Sequence, residues 1–143
     1  MIYVVSFVLA LYCLANGIPA LRNILRMMEI NRDCATTIGE ARSVRRKLGT
    51  MLAWGFGEGK QFSVYYLSPT KQELVIDVIT SSFYTHPIYE GNQGVEVVYD
   101  KDSPGRAYAK PEWEMNKREL WIASIGISVA IALWVIGKAF NLP

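Results

Sequence analysis

The chain has 143 residues, an apolar share of 51% and a formal net charge of only +2. This weak charge argues against a nucleic-acid-binding domain, which is usually strongly basic. All 13 acidic residues and all but one of the 15 basic residues lie between positions 22 and 119. The composition therefore predicts two apolar ends and one small polar domain between them.

The N-terminal segment 1–21 contains no charged side chain. As a helix it would be about 31 Å long at ~1.5 Å per residue, which matches a bilayer core of ~30 Å. No basic residue precedes the apolar run, and the segment lacks the Ala-x-Ala pattern of a cleavage site. We predict a retained transmembrane helix over 1–21.

The C-terminal segment 120–140 is the second predicted transmembrane helix. Its residues 120–137 are uncharged, and Lys138 can extend its amine toward the polar surface. Trp121 and Trp134 are spaced to lie near the two interfaces of a bilayer. The preceding segment 112–119 is interpreted as a linker.

The basic residues near the span ends predict the orientation. Lys and Arg close to a span favour the cytoplasmic side. The basic residues near the span ends lie on the side of the domain, and Lys138 is the one exception. We therefore predict an integral protein of a bacterial inner membrane, with the domain in the cytoplasm. The residues predicted to contact the membrane surface are Arg22, Arg26, Lys117 and Arg118.

Segment 22–34 is predicted to be an amphipathic continuation of the first helix beyond the bilayer, with the helix reaching about Asn31. Leu21, Ile24, Leu25 and Met28 fall on one face at helical spacing. Two interpretations remain open for this amphipathic segment. The helix either packs on its own domain or lies on the lipid headgroups.

Segment 35–111 is predicted to be a β-rich domain. The runs 61–67, 72–80 and 95–100 are rich in β-branched and aromatic residues, and 106–110 forms a short last strand. The fold class we predict is a membrane protein in which two transmembrane α-helices flank a small antiparallel sheet or barrel-like domain.

The stretch from Asp100 to Gly105 has two interpretations. Asp102, Pro104 and Gly105 have the side-chain chemistry of a tight turn, which predicts a hairpin. Asp100 and Asp102 would form an acidic catalytic pair only with a third group and a perturbed pKa. We favour the structural turn, because turn chemistry accounts for every residue in the stretch.

Val95, Val97, Tyr99 and Asp100, followed by Asp102, Pro104 and Ala107, resemble the end of the family called domain of unknown function 3592. Gly39 resembles a glycine in an early strand of that family. The family usually has a proline directly after the paired tyrosines of its central strand ("YYPV"), where this chain has Leu67 in "FSVYYLSP". The resemblance covers roughly residues 35–110 and implies a small β fold at a membrane, with no catalytic residue to transfer.

Small residues recur along both predicted spans at helical spacing. Small side chains let two helices approach closely in lipid. Val5, Val8 and Ile127 are predicted to face away from this contact. The residues predicted to form a helix-packing interface are Ser6, Ala10, Cys13, Gly17, Ala20, Ala123, Gly126, Ala130 and Gly137.

The function that these patterns favour is a membrane-tethered protein-interaction module without catalytic activity. One version is an immunity or exclusion factor against a membrane-active toxin or an injection machine. An accessory subunit of a larger membrane complex and an uncharacterised enzyme are the alternatives. His86 is the only histidine and neither cysteine lies in a metal-like cluster, so no cofactor or metal is predicted. The expected partners are membrane lipids and another membrane protein or a second copy of the chain.

Overall fold

The computed structural model describes residues 1–47, 59–79, 87–89 and 94–140. They form two compact units, a helical unit (Met1–Asn23 with Asn116–Pro143) and a β unit (Ile24–Met115). The elements in chain order are α1 (Ile2–Ile30), β1 (Cys34–Lys47), β2 (Gly59–Leu67), β3 (Glu73–Ile79), a short 3₁₀ helix (Pro87–Tyr89), β4 (Gly94–Asp100), β5 (Ala107–Ala109) and α2 (Lys110–Ala139). The predicted layout of two long apolar helices flanking a small antiparallel sheet is confirmed.

Helix α1 is continuous through the predicted boundary at residue 21, and Pro19 lies inside it. The amide of Asn31 still donates to the Met27 carbonyl (2.9 Å), whereas the amide of Arg32 bonds to Glu29 in a tighter turn (3.2 Å). This tightening ends the helix. The helix therefore ends next to the predicted residue Asn31, whereas Cys34, the last residue of the predicted segment 22–34, begins a strand.

Helix α2 begins directly after β5, so the predicted linker 112–119 is helical. The backbone amide of Ala109 donates to Oε2 of Glu112 at 2.7 Å. A Glu three residues after a helix start often satisfies a free amide in this way. Pro111 is tolerated because amides in the first helical turn have no partner within the helix.

The sheet has the strand order β3-β2-β1-β4-β5, and every neighbouring pair is antiparallel. Strands β3 and β5, at the two ends of this order, approach each other, so the sheet is nearly closed. The register between β1 and β2 shifts between Arg42 and Val44. Such irregularities increase local twist, which helps a small sheet to curve.

The core of the β unit lies inside the curved sheet. Phe62 stacks on Tyr89 with ring centroids 5.0 Å apart, and Tyr66 stacks on Tyr99 at 6.5 Å. Gly39 faces the core from β1. An added Cβ there would lie 2.8 Å from the Tyr65 carbonyl oxygen, so the site has no room for a larger residue. The fully buried side chains of the described strands include Phe62, Val64, Val78, Val95 and Val97.

The C-terminal end of α1 covers the outer side of β4 and β5. Met27 and Ile30 are buried against Val98 and Tyr108. The Tyr108 hydroxyl donates to Oδ1 of Asn31 at 2.7 Å. The helix therefore packs on its own domain, but not through the predicted apolar face: Leu21, Leu25 and Met28 are exposed, and of that face only Ile24 is buried.

Candidate functional site

The predicted helix-packing residues lie together between the two helices of the helical unit. All nine are buried except Ala10 and Gly126, which are half-buried. An added Cβ at Gly17 would lie 2.9 Å from that of Ala123, and Gly126 directly faces Sγ of Cys13. Any side chain at these glycines would separate the helices, because the space is already filled.

Two further contacts hold the same helices near the N-terminus of α1. The Ser6 hydroxyl donates to the Ala130 carbonyl oxygen at 2.6 Å. An added Cβ at Gly137 would lie 2.7 Å from Cγ2 of Ile2. The contact therefore extends along most of the helical unit.

A cavity of about 450 Å³ lies beside this contact, between α1 and α2. Its lining combines small residues on the floor with aromatic residues at the rim. Ile127 lies here, so the prediction that it faces away from the partner helix is wrong. The other lining residues are Tyr3, Ser6, Phe7, Ala10, Ala130, Ile131 and Trp134.

The stretch from Asp100 to Gly105 begins at the last residue of β4 and continues into the connection to β5. The Asp100 amide donates to the Arg106 carbonyl (2.9 Å), and the Arg106 amide donates to Ser103 (2.8 Å). The Asp102 amide donates to Oδ1 of Asp100 at 3.0 Å, which is an Asx turn. An added Cβ at Gly105 would meet no atom within 4 Å.

Side chains from elsewhere fix this turn on the β unit. The Tyr66 hydroxyl donates to the Pro104 carbonyl oxygen at 2.7 Å. The Arg106 guanidinium lies 3.1 Å from Glu29 and 3.8 Å from Asp100. Sequence patterns did not indicate the roles of Tyr66 and Arg106. The contacts of Tyr66 with Pro104 and of Arg106 with Glu29 join segments that are far apart in the chain.

The four basic residues predicted to contact a membrane surface, Arg22, Arg26, Lys117 and Arg118, are all exposed. Their contact with lipid stays a prediction. Arg26 also takes part in a crevice of the β unit.

This crevice, with a volume of about 300 Å³, lies at the seam where β3 and β5 approach each other. Its charged lining comes from four elements, three of which are α1 with Arg26, the turn before β5 with Arg106, and α2 with Glu112. Asp77 of β3 also lines it, and the carboxylate of Asp77 accepts a hydrogen bond from Ser63 at 3.0 Å. The remaining lining residues are Ile30, Val75, Ile76, Gly105 and Ala107.

Among the titratable groups that line this crevice, Glu112 has the most strongly shifted pKa. Burial of its carboxyl raises its pKa to about 7, although the bond from the Ala109 amide and the nearby Arg26 charge both favour the ionised form. Glu112 also raises the pKa of the buried Tyr89, on which desolvation has the larger effect. Sequence reasoning missed Glu112, although its position three residues after Ala109 carries the spacing of a helix cap.

The outer face of β2 and β3 exposes several apolar side chains. Leu67 and Val75 are 56% and 49% exposed. Tyr65 pairs with Val75 across these strands, and the Arg42 guanidinium lies 4.8 Å above the Tyr65 ring. This outer face, which comprises Tyr65, Leu67, Val75 and Ile79, is called the outer sheet patch below.

Within residues 1–47, 59–79, 87–89 and 94–140, no three His, Cys, Asp or Glu side chains are grouped to hold a metal ion. Cys13 and Cys34 are both free thiols. His86 lies outside the described residues.

Comparison with known proteins assigns no family to this arrangement. The resemblance to domain of unknown function 3592 stays a prediction that rests on its motif residues. The chain matches no family model, no curated protein and no solved structure.

Proposed function

We propose that this protein is a membrane-tethered interaction module without catalytic activity, and that its β unit binds another protein. The observation that carries the proposal is the exposure of both apolar helices. In the most apolar 18-residue stretch of each helix, only 22% of α1 and 17% of α2 is buried inside the protein. A core helix of a soluble protein would be mostly buried, so this pattern favours lipid as the surrounding medium.

The outer sheet patch supports the interaction role. Its apolar side chains lie beside a charged group in which Arg42 contacts Glu40 at 2.8 Å and Glu73 at 3.6 Å. Aromatic and aliphatic side chains with an arginine at their edge are a common composition for protein interfaces. We propose that a protein partner covers this patch.

One concrete version of this role is an immunity or exclusion factor that captures a toxin or an injection machine at a bacterial inner membrane. A second candidate is an accessory subunit of a membrane complex. The cavity between α1 and α2 favours the second, because its small floor residues and aromatic rim can receive a side chain of a neighbouring membrane helix.

Site-specific photocrosslinking in living cells tests the interaction role. A photoreactive amino acid at Leu67 or Val75 would report on the outer sheet patch, and one at Ile131 would report on the cavity between the helices. The same group at Thr70, in the exposed turn between β2 and β3, is the control. We expect a defined protein adduct at the patch and none at Thr70.

The positions of the adducts distinguish the two candidates. Adducts at Ile131 in addition to the patch would favour an accessory subunit, and adducts at the patch alone would favour an immunity factor. If the patch positions and Ile131 gave only the background seen at Thr70, the proposed interaction role would be wrong.

We also propose that the β unit faces the cytoplasm, because basic residues flank both helices on the domain side. A cysteine replacing Thr70 should resist a membrane-impermeant thiol reagent in intact cells and react after the membrane is permeabilised. The unsubstituted chain, which retains Cys13 and Cys34, measures the background. Labelling of the Thr70→Cys chain in intact cells would reverse the proposed orientation.

A further inference from the structure

The first turn of α2 places a carboxyl group where three parts of the β unit meet. Glu112 accepts the bond from the Ala109 amide at the end of β5. It faces the charge of Arg26 on α1, and it lies close enough to Tyr89 and Tyr108 to affect both hydroxyl groups. Arg106 and Asp77 share the crevice with it. A change of charge at Glu112 therefore acts on several elements at once.

We propose that this crevice is a proton-controlled joint: the start of α2 stays packed against β5 and the end of α1 while Glu112 is protonated, and it loosens when Glu112 ionises. The geometry supports this because Glu112 lines a crevice of about 300 Å³ together with charged side chains of α1, β3 and the turn before β5. Hydration of the ionised carboxylate offsets its desolvation only if that crevice widens. This inference goes beyond the proposed interaction role and does not depend on it.

The direction of the effect follows from the environment of Glu112. Its pKa in the folded protein, about 7, lies above the ordinary value of 4.5, so the folded state holds the proton more tightly than the unfolded state. The resulting stabilisation is complete below about pH 4.5 and is lost as the pH rises through about 7. The joint should therefore be tightest in mild acid and loosest above neutral pH.

Hydrogen exchange of the full chain in lipid nanodiscs tests this proposal. The variant Glu112→Gln keeps an acceptor for the Ala109 amide but cannot ionise. At pH 8 we expect amides of residues 109–115 to exchange at least about tenfold more slowly in this variant than in the wild type, corresponding to one unit of the pKa difference. At pH 4, below the ordinary pKa of 4.5, the two proteins should exchange alike. Glu114→Gln, two residues along the same helix and exposed, should behave like the wild type at both pH values.

A second variant keeps the test decisive if Glu112→Gln does not fold. Arg26 lowers the pKa of Glu112, so Arg26→Gln should move the midpoint of the pH-dependent exchange upward. Equal exchange of the wild type and Glu112→Gln at pH 8 would overturn the proposal. An unchanged midpoint in Arg26→Gln would overturn it as well.

Discussion

The helical unit and the β unit bury opposite kinds of side chain. Between α1 and α2 the buried residues are small, whereas large apolar side chains such as Phe7 (65% exposed) and Trp121 (70%) face outward. The β unit buries its large residues, including Phe62 and Val97. Its exposed residues include most of its described acidic and basic groups.

This inversion shows that apolar character alone does not predict burial. In water, a sheet lowers its free energy by enclosing its largest apolar side chains. Two helices in lipid gain nothing by hiding large apolar groups from an equally apolar solvent, so close packing of small residues decides their contact. The contrast supports the proposed membrane location of the helical unit, and substitutions that act on one unit alone can test it.

The largest effect is expected from Val97→Asp in the β unit. Val97 is fully buried (0% exposed), and a carboxylate there would have no solvent. We expect a loss of about 4 kcal/mol or more in the free energy of unfolding of the β unit. The measurement is denaturant unfolding of the full chain in detergent, followed by hydrogen exchange of the strands.

The matched control is Val75→Asp, because Val75 is exposed on the same sheet. It should cost far less stability. The helical unit should stay in the membrane fraction in both variants. Loss of membrane retention with Val97→Asp would show that the two units do not fold independently.

A smaller effect, confined to the helical unit, is expected from Gly17→Leu and Gly126→Leu. Each new side chain would meet Ala123 or Cys13 on the facing helix and force the backbones apart. Overpacking of this kind typically costs about 1–3 kcal/mol. In-membrane crosslinking between α1 and α2 should fall, while insertion and the unfolding of the β unit stay unchanged.

Val5→Leu and Val129→Leu are the controls for the helix contact, since both valines are exposed. They should leave the crosslinking unchanged. Equal behaviour of the glycine and valine variants would mean that the helices are passive anchors and that their close contact has no energetic role.

Removal of either of two tyrosine hydroxyl groups should have an intermediate effect on the free energy of unfolding of the β unit. Tyr66→Phe removes the bond to Pro104, and Tyr108→Phe removes the bond to Asn31. Each change should lower the free energy of unfolding by about 1 kcal/mol, since one half-buried hydrogen bond is lost. Thermal unfolding measures this, with Tyr65→Phe on the outer face as the control. If all three variants had the same stability, the two bonds would contribute nothing to attaching the turn and α1.

The smallest effect is expected from Asp102→Asn. The carboxylate that accepts the turn bond belongs to Asp100, and Asp102 contributes its backbone amide, which Asn retains. The change in the free energy of unfolding should be within about 0.5 kcal/mol. Partner capture should also be preserved. A folded Asp102→Asn protein that captured no partner would show that the acidic pair is a binding or catalytic site after all.

The sequence predicted local features well where neighbouring residues decide them. The strand over Val95 to Asp100 follows from alternation, and the turn after it follows from the preference of aspartate, proline and glycine for such positions. The start of the second helix was predicted less accurately. The predicted linker 112–119 contains polar residues but no helix-breaking one, and the cap at Glu112 makes it helical from its start.

What the sequence by itself determined is therefore the periodicity and the distribution of charge: two uncharged helical lengths, an alternating sheet and a tight turn. Only the tertiary structure decided which faces are covered. It buried Met27 and Ile30 against the outer side of β4 and β5, and it placed Ile127 in the lining of the cavity between the helices. It also brought Glu112 and Arg26 into one crevice, where β3 and β5 approach each other. These outcomes depend on contacts between segments distant in the chain, whose distances and desolvation no local pattern specifies.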